Sequence, residues 1–204
     1  MAQRVNPTRM ELLRLKKRLK LAQKGHKLLK DKRDGLMREF LKIIRQARSL
    51  RGRVDTLLSE SMRHFVLAQG SMLPQATALL KNLALYTIAM DVKEQNVMGV
   101  RIPEFSIDLK ESGERYSVWE TSPELDIAMK GFRELLPLLM ELAAIEKSAE
   151  LMAQEIEKTR RRVNALEYVL VPQLKQTIKY IRMKLDEQER ATIVMMMMVK
   201  NHIE

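Results

Sequence analysis

The chain has 204 residues and a net charge of +11, with 31% charged residues, 4% aromatics and no cysteine. The missing thiols exclude disulfides, Cys-ligated zinc and a thiol nucleophile, and 7 Gly with 6 Pro are too few for a turn-rich β protein, where every strand needs a turn. The opening MAQRVNPTRM carries no apolar leader, and the longest nearly apolar run, Leu135 to Ile145, is broken by Glu141 and too short for a bilayer core of about 30 Å; the expectation is a soluble, intracellular, helix-rich chain without direct membrane insertion.

The charge is unevenly spread. Residues 1–70 hold 19 Lys/Arg against 6 Asp/Glu, residues 71–122 hold 5 against 7, and residues 123–204 hold 13 against 13. The whole excess therefore lies in the first third. The same divisions mark three expected domains: an N-terminal helix over 1–70, a central cap over 71–122 and a C-terminal helix over 123–204.

The first segment reads as one helix. Pro7 suits a first helical turn, with Asn6 as a natural N-cap and Thr8 with Glu11 as an overlapping capping box. From Leu12 an alternating 3/4 spacing runs through Leu15, Leu19, Ala22, His26, Leu29, Arg33, Leu36, Phe40, Ile43, Ala47, Leu50, Val54, Leu57, Ser61, His64 and Ala68, and 13 of these 17 positions are apolar. A 3.5-residue repeat sustained over about eight heptads is a coiled-coil seam facing a partner helix. Gly25, Gly35 and Gly52 interrupt the stretch, each costing about 1 kcal/mol against Ala. Either the seam outweighs them or they mark close helix approach. The helix is expected to end near Gly70, after roughly 90 Å at 1.5 Å per residue.

In the middle segment, Pro74 to about Leu83 reads as a short helix. Leu85 to Val92 is apolar and β-branched, and Asn96-Val97-Met98-Gly99-Val100-Arg101-Ile102-Pro103 follows. The pattern predicts a β-hairpin around Gly99, with Pro103 at an edge or at the strand's end. Tyr116 to Trp119 offers a further strand, with Trp119 either a core anchor or an anchor on a binding surface.

Thr121-Ser122-Pro123-Glu124 again pairs a cap with a helix-compatible proline. Beyond it, apolar residues recur at Leu135, Leu139, Leu142, Met152, Ile156, Val163, Leu166, Leu170, Leu174, Ile178, Ile181 and Leu185. The eleven-residue spacings Val163/Leu174/Leu185 and Leu170/Ile181 imply a local straightening of the supercoil, and Pro137 and Pro172 should each kink or interrupt the helix. The fold class is therefore mainly α: a long antiparallel two-helix coiled coil with a small central α/β cap containing a β-hairpin. Pairing the two arms puts both termini at one end, the cap at the other, and a positive stripe along one arm.

No enzymatic constellation is legible. Neither G-x-x-x-x-G-K-[ST] nor G-x-G-x-x-G occurs, so no cofactor is expected. His26, His64 and His202 are 38 or more residues apart and make no metal pair; a seam histidine reads better as a tolerated polar core residue. Arg160-Arg161-Arg162 would suit phosphate, but adjacent helical residues spread around the helix, which favours a solvated face. Nucleic-acid binding by the first helix stays open on charge alone, without the interleaved aromatics of single-strand binders.

Pro7-Thr-Arg-Met-Glu-Leu-Leu13, Leu21-Ala-Gln-Lys-Gly25 and Leu28-Leu-Lys-Asp-Lys-Arg-Asp34 closely resemble the N-terminal helix of the D subunits of the V/A-type rotary ATPases. Thr159-Arg-Arg-Arg-Val-Asn-Ala-Leu-Glu167 with Val171-Pro172 is similar to that family's C-terminal helix, and Asn96 to Pro103 to its central segment. The resemblance implies a non-catalytic rotor shaft, the central stalk of the complex. Its expected partners are the A and B subunits of the catalytic head, the small F subunit, and a funnel-shaped subunit that docks on the membrane ring. It further implies a cytoplasmic protein, peripheral to the membrane through the complex, with no nucleic acid bound.

On that reading Arg9, Lys16, Lys17, Lys20, Lys24 and Lys27 form a stripe that meets acidic or polar loops of the head. Asn96 to Pro103 is the partner-binding hairpin, at the end of the shaft that meets the F subunit or the membrane side. Met195-Met196-Met197-Met198, where family members usually carry basic residues, is either a fraying helix end or a low-friction shaft tip of polarizable side chains. The competing classes are a basic coiled-coil nucleic-acid binder, which would show steeply salt-dependent affinity, and a scaffold or export-adaptor protein.

Overall fold

The computed structural model describes residues 6–73, 75, 86–111 and 121–203. Helix α1 spans Arg9–Ser71, strands β1 and β2 span Tyr86–Val97 and Val100–Glu111, and helix α2 spans Pro123–Asn164. A π-helical turn, Ala165–Leu170, joins α2 to helix α3, Val171–Ile203. The short helix expected over Pro74–Leu83, the strand expected at Tyr116–Trp119, and Trp119 itself lie outside the described residues. The chain groups into two compact units, Met1–Gly35 with Ile156–Glu204, and Leu36–Glu155; α1 contributes to both.

Of the two caps legible before α1, Thr8 is the one used. Its carbonyl accepts the first helical bond from the Leu12 N–H at 3.0 Å, and its hydroxyl accepts the Glu11 N–H at 3.2 Å. That is the N-cap-to-N3 half of a capping box. At α2, Ser122 caps the Glu124 N–H at 3.3 Å, and Pro123 occupies the first helical position, where its missing donor costs nothing.

All 17 positions of the 3.5-residue repeat on α1 are buried or half-buried. The four that are polar are each satisfied. His26 Nε2 lies 3.3 Å from a Glu167 carboxylate oxygen and His64 Nδ1 2.7 Å from Glu124. Ser61 donates to the Leu57 carbonyl at 2.7 Å, and Arg33 donates twice to Asp34. A buried polar group left unpaired costs about 1–3 kcal/mol, so these partners let the seam pass through non-apolar positions.

In the unit formed by 1–35 and 156–204, α1 and α3 run antiparallel: Arg9 pairs with Glu189, and His26 with Glu167. Leu15, Leu174 and Ile181 form its core, with Leu12, Leu19, Ala22, Leu170, Ile178 and Leu185 packed around them. In the unit 36–155, α1 and α2 are also antiparallel, with Arg51 paired to Glu146 and His64 to Glu124. Leu50, Val54, Leu135 and Leu142 form its core, and the Phe65 and Phe132 rings meet edge to face at 6.1 Å. Leu139, expected in the seam, is exposed; Leu138 and Ile145 pack instead. The stretch between Leu142 and Met152, which has no seam residue in the apolar pattern, is closed by Ser148, whose hydroxyl turns back to the Ala144 carbonyl at 2.7 Å.

The two prolines behave differently. Helix α2 continues through Pro137 without interruption. Pro172 follows directly on the π turn, in which the Val171 N–H bonds to the Leu166 carbonyl, five residues back. A proline ring clashes with the carbonyl four residues before it, here Tyr168, and a widened turn moves that carbonyl aside.

Strands β1 and β2 pair antiparallel in unbroken register from Tyr86↔Glu111 to Val97↔Val100. The connection is the two residues Met98 and Gly99, at φ 53° and 88°. Positive φ at both central positions is the geometry that matches strand twist in a tight hairpin, and the Asn96 side-chain oxygen accepts the Gly99 N–H at 2.9 Å. The hairpin around Gly99 is thus present, but both strands are longer than expected. Of the two expectations for Pro103 the edge is the one found: β2 is an edge strand of a two-stranded sheet, and Pro103 lies inside it rather than at its end, opposite Glu94. Counting the alternation outward from the turn-closing pair places it at a non-hydrogen-bonded pair, where a missing N–H removes no ladder bond.

Gly25 and Gly52 of α1 differ from Gly131 of α2. A Cβ on Gly25 or Gly52 would meet nothing within 4 Å, whereas one on Gly131 would strike Ser61. Gly25→Ala and Gly52→Ala are therefore each expected to stabilise the fold by about 0.5–1 kcal/mol, by relieving the backbone entropy of helical glycine. Chemical denaturation should show a raised midpoint for both variants, and a lowered midpoint would contradict the open space around these positions.

Candidate functional site

The sequence-marked residues fall on three surfaces, each within one of the two units. The first is basic. The unit of residues 1–35 and 156–204 holds 22 Lys/Arg and 9 Asp/Glu, net +13, while residues 36–155 hold 15 and 17, net −2. Arg9, Lys16, Lys17, Lys20, Lys24 and Lys27 are all exposed, and at 3.6 residues per turn they occupy an arc of about 100° on α1. Arg9 is tied to Glu189 at 2.5 Å. The five lysines make no ion pair within the described residues. They lie beside the seam rather than on it, because the seam positions Leu12, Leu15, Leu19 and Ala22 face α3.

Arg160, Arg161 and Arg162 are exposed as well. Arg161 pairs with Glu157 one turn back on the same helix, and the three guanidinium groups leave α2 in different directions, as expected for a solvated face. On α3, hydrogen bonding to Glu187, followed by its charge, raises the Lys184 pKa and correspondingly lowers that of Glu187. Both groups sit in solvent.

The second surface is the C-terminal part of α3. Ile193, Val194, Met195, Met196, Met197, Met198 and Val199 are seven consecutive apolar residues, all exposed, the methionines at 61–70%. They lie within α-helix that continues to Ile203. Seven residues make about two full turns, which leaves no polar side on this part of the helix. A helix apolar all round is ordinarily a buried one.

The third surface is the hairpin. Asn96 to Pro103 forms its turn and the beginning of β2. Val100 is buried and Ile102 and Pro103 half-buried, while Asn96, Met98, Gly99 and Arg101 are exposed. A cleft of about 570 Å³ opens between β2 and the helices of the same unit, with Ile102, Pro103 and Phe105 on one wall and Ile43, Pro137 and Glu141 on the others. Beyond Pro103 the pairs Val92↔Phe105, Met90↔Ile107 and Ile88↔Leu109 share one face, each such pair contributing roughly 0.2–1 kcal/mol. On β1 these side chains remain about half exposed. The alternation Phe105, Ile107, Leu109 carries this apolar face in the sequence, and reading Pro103 as a strand end hides it. Arg133 of α2 lies 5.4 Å over the Tyr86 ring at the open end of the hairpin.

Among the described residues no cluster of His, Asp and Glu could hold a metal ion, and His26 and His64 each face a carboxylate. No described helix is long and apolar enough to cross a membrane. The three surfaces differ in kind: one supplies charge, one an apolar helix on all sides, one an apolar sheet face above a cleft.

Comparison with known proteins shows the family. The family of ATP synthase D subunits matches residues 11–201. The V-type ATP synthase D subunit of Acetivibrio thermocellus is 50% identical over 202 residues, covering 97% of this chain and 91% of the relative. Its counterpart in Clostridium botulinum (strain ATCC 19397 / Type A) is 49% identical over 208 residues, 98% of this chain and 95% of its own. That of Clostridium novyi (strain NT) is 47% identical with the same coverage.

Proposed function

The chain belongs to the family of ATP synthase D subunits, and from that premise we propose that it is the non-catalytic central-stalk subunit of a V-type rotary ATP synthase, coupling ATP turnover in an A/B head to ion translocation by rotating. The observation that carries the reading is the one-sided charge of α1: a continuous helix whose seam is buried or half-buried throughout and whose five lysines, without an ion pair among the described residues, lie on one flank. A shaft must transmit torque and present a different face at each angle. Paired helices with a buried seam serve the first need, and a basic flank on one of them serves the second.

On this proposal Arg9, Lys16, Lys17, Lys20, Lys24 and Lys27 meet acidic or polar loops of the A and B subunits in turn. Exposed ion pairs contribute about 0–1 kcal/mol each, weak enough to be broken and remade at every step. The apolar block Met195–Met198 is the shaft tip, turning inside an apolar collar of the head, where unbranched thioether side chains adapt to a changing wall. The hairpin segment Asn96–Pro103 is the partner-binding end, toward the small F subunit and the funnel-shaped subunit that links the stalk to the membrane ring. The protein is held at the cytoplasmic side of the membrane through that complex.

Changing all six basic residues to Gln tests the stripe. ATP turnover of the assembled complex and the torque it delivers are expected to fall, with helix content by circular dichroism retained; unchanged turnover and torque overturn the assignment. In the same assay, replacing the hairpin by a short linker is expected to impair assembly or coupling while the helices persist. Normal assembly and coupling would remove it from the partner-binding role.

A further inference from the structure

The methionine block of α3 has a property that its shape alone does not require. An apolar helix end is fully served by Leu, which is a better-defined packer and chemically inert, whereas a thioether is both polarizable and oxidisable. We propose that Met195–Met198 are a redox-sensitive modification site, which hydroperoxides oxidise to methionine sulfoxide in the unassembled subunit, and that the oxidised subunit no longer engages the head. The inference rests on the shaft-tip reading given above.

The chemistry is complete with one co-reactant. The thioether sulfur attacks the OH oxygen of the hydroperoxide, the O–O bond breaks, sulfur gives up two electrons and gains that oxygen, and the other oxygen takes up its proton and leaves as water from hydrogen peroxide or as an alcohol from an organic hydroperoxide. The step needs access to sulfur and nothing else from the protein. All four side chains have that access, and four successive residues project around a full turn, so one thioether faces every approach. Met152, by contrast, is fully buried in the core.

The consequence follows from where the block sits. In the run Ile193–Val199 no side chain is polar, and four of the seven are methionine. Oxidation would put a strong hydrogen-bond acceptor on every side of the helix. A collar apolar enough to accept the reduced tip has no donors to satisfy them, and burial of an unsatisfied polar group is strongly unfavourable. The change is reversible by methionine sulfoxide reductases, which regenerate the thioether with thiol as reductant. It would therefore act on a subunit waiting for assembly, while the collar shields the same residues once docked.

The test begins with hydrogen peroxide on the full-length free subunit, followed by peptide mapping. Met195–Met198 are expected to gain one oxygen each while Met152 does not; an unmodified block alongside oxidised Met10 or Met183 overturns the proposal. The treated subunit is then added to the A/B head of the same complex. Binding is expected to weaken at least about tenfold, a change of 1.4 kcal/mol or more, and to return after treatment with the reductases. The M195L/M196L/M197L/M198L variant, whatever its own affinity for the head, should lose none of it on peroxide treatment; a peroxide-induced loss equal to the parent's overturns the proposal. The corresponding Gln variant, polar without oxidation, separates the two readings. If it binds as well as the parent, the shaft-tip reading itself falls. If it binds poorly while the oxidised parent binds normally, only the redox proposal falls.

Discussion

Ile181→Ala is expected to destabilise the protein by about 2–5 kcal/mol, the range for truncating a fully buried large aliphatic side chain. Ile181 is completely shielded and packs with Leu15 and Leu174 in the core between α1 and α3. Among the described residues that core is made by the seam side chains of the two facing helices alone. Collapse around the cavity would have to move a helix as a whole, so little of the lost contact can be recovered. For a chain of this size each kcal/mol shifts the melting temperature by about 2–4 °C, which puts the expected drop on the order of 10 °C. Leu21→Ala on the facing helix is the control. Leu21 is 70% exposed, and surface substitutions of this kind stay within about 0.5 kcal/mol. Equal effects of the two would mean that the seam is not where the repeat and the burial place it.

The seam of α1 is legible in sequence because its signal is redundant. Thirteen apolar residues at 3/4 spacing specify a face even when His26, Arg33, Ser61 and His64 interrupt it. The C-terminal arm is harder to read for two reasons. Ser148 is buried yet polar; a serine that bonds back to its own helix hides its hydroxyl and packs as a small residue, which an apolar pattern cannot register. The π turn at Ala165–Leu170 adds an offset that no periodicity announces. Pro172 signals a disturbance there but not its form, and Pro137, an equally strong signal, is absorbed without interruption.

In the hairpin one half of a rule is applied too strictly: β2 is an edge strand, as one of the two expectations for Pro103 has it, but the strand does not end there. Proline is excluded from ladder positions that donate, not from strands. Pro103 sits where the alternation leaves its nitrogen outside the ladder, so β2 continues to Glu111. The Phe105, Ile107 and Leu109 alternation is enough to show this. The candidate surfaces are legible to different degrees as well. The basic flank follows from counting charges and placing them on the seam's helix. The methionine block is visible as a composition anomaly, and its position in α-helix spreads it over every side of α3.

Close helix approach is the feature least accessible to sequence, and Gly131→Ala tests it. The three glycines that interrupt the α1 repeat invite that explanation, yet Gly25 and Gly52 face open space. Gly131 on α2 is the close contact: a Cβ there would overlap the Ser61 hydroxyl oxygen and lie 3.1 Å from the Ser61 Cβ. Ser61 has no easy way to yield, since it is buried and its hydroxyl is held by the Leu57 carbonyl at 2.7 Å. Rotating it away would forfeit that bond, and separating the helices would loosen Leu57 and Phe132, which pack on the core of the same unit. Overpacking of this kind costs about 1–3 kcal/mol, against a gain of about 1 kcal/mol from replacing helical glycine. The net sign is therefore destabilising, opposite to that expected for Gly25→Ala and Gly52→Ala. A double-mutant cycle isolates the cause. Ser61→Gly removes both clashing atoms, so in that background Gly131→Ala should become neutral or stabilising, giving a coupling energy of about 1–3 kcal/mol. If Gly131→Ala costs the same with and without the Ser61 side chain, the two helices do not meet at this point. The single pair then separates glycine as an expense of the helix from glycine as the reason two helices fit.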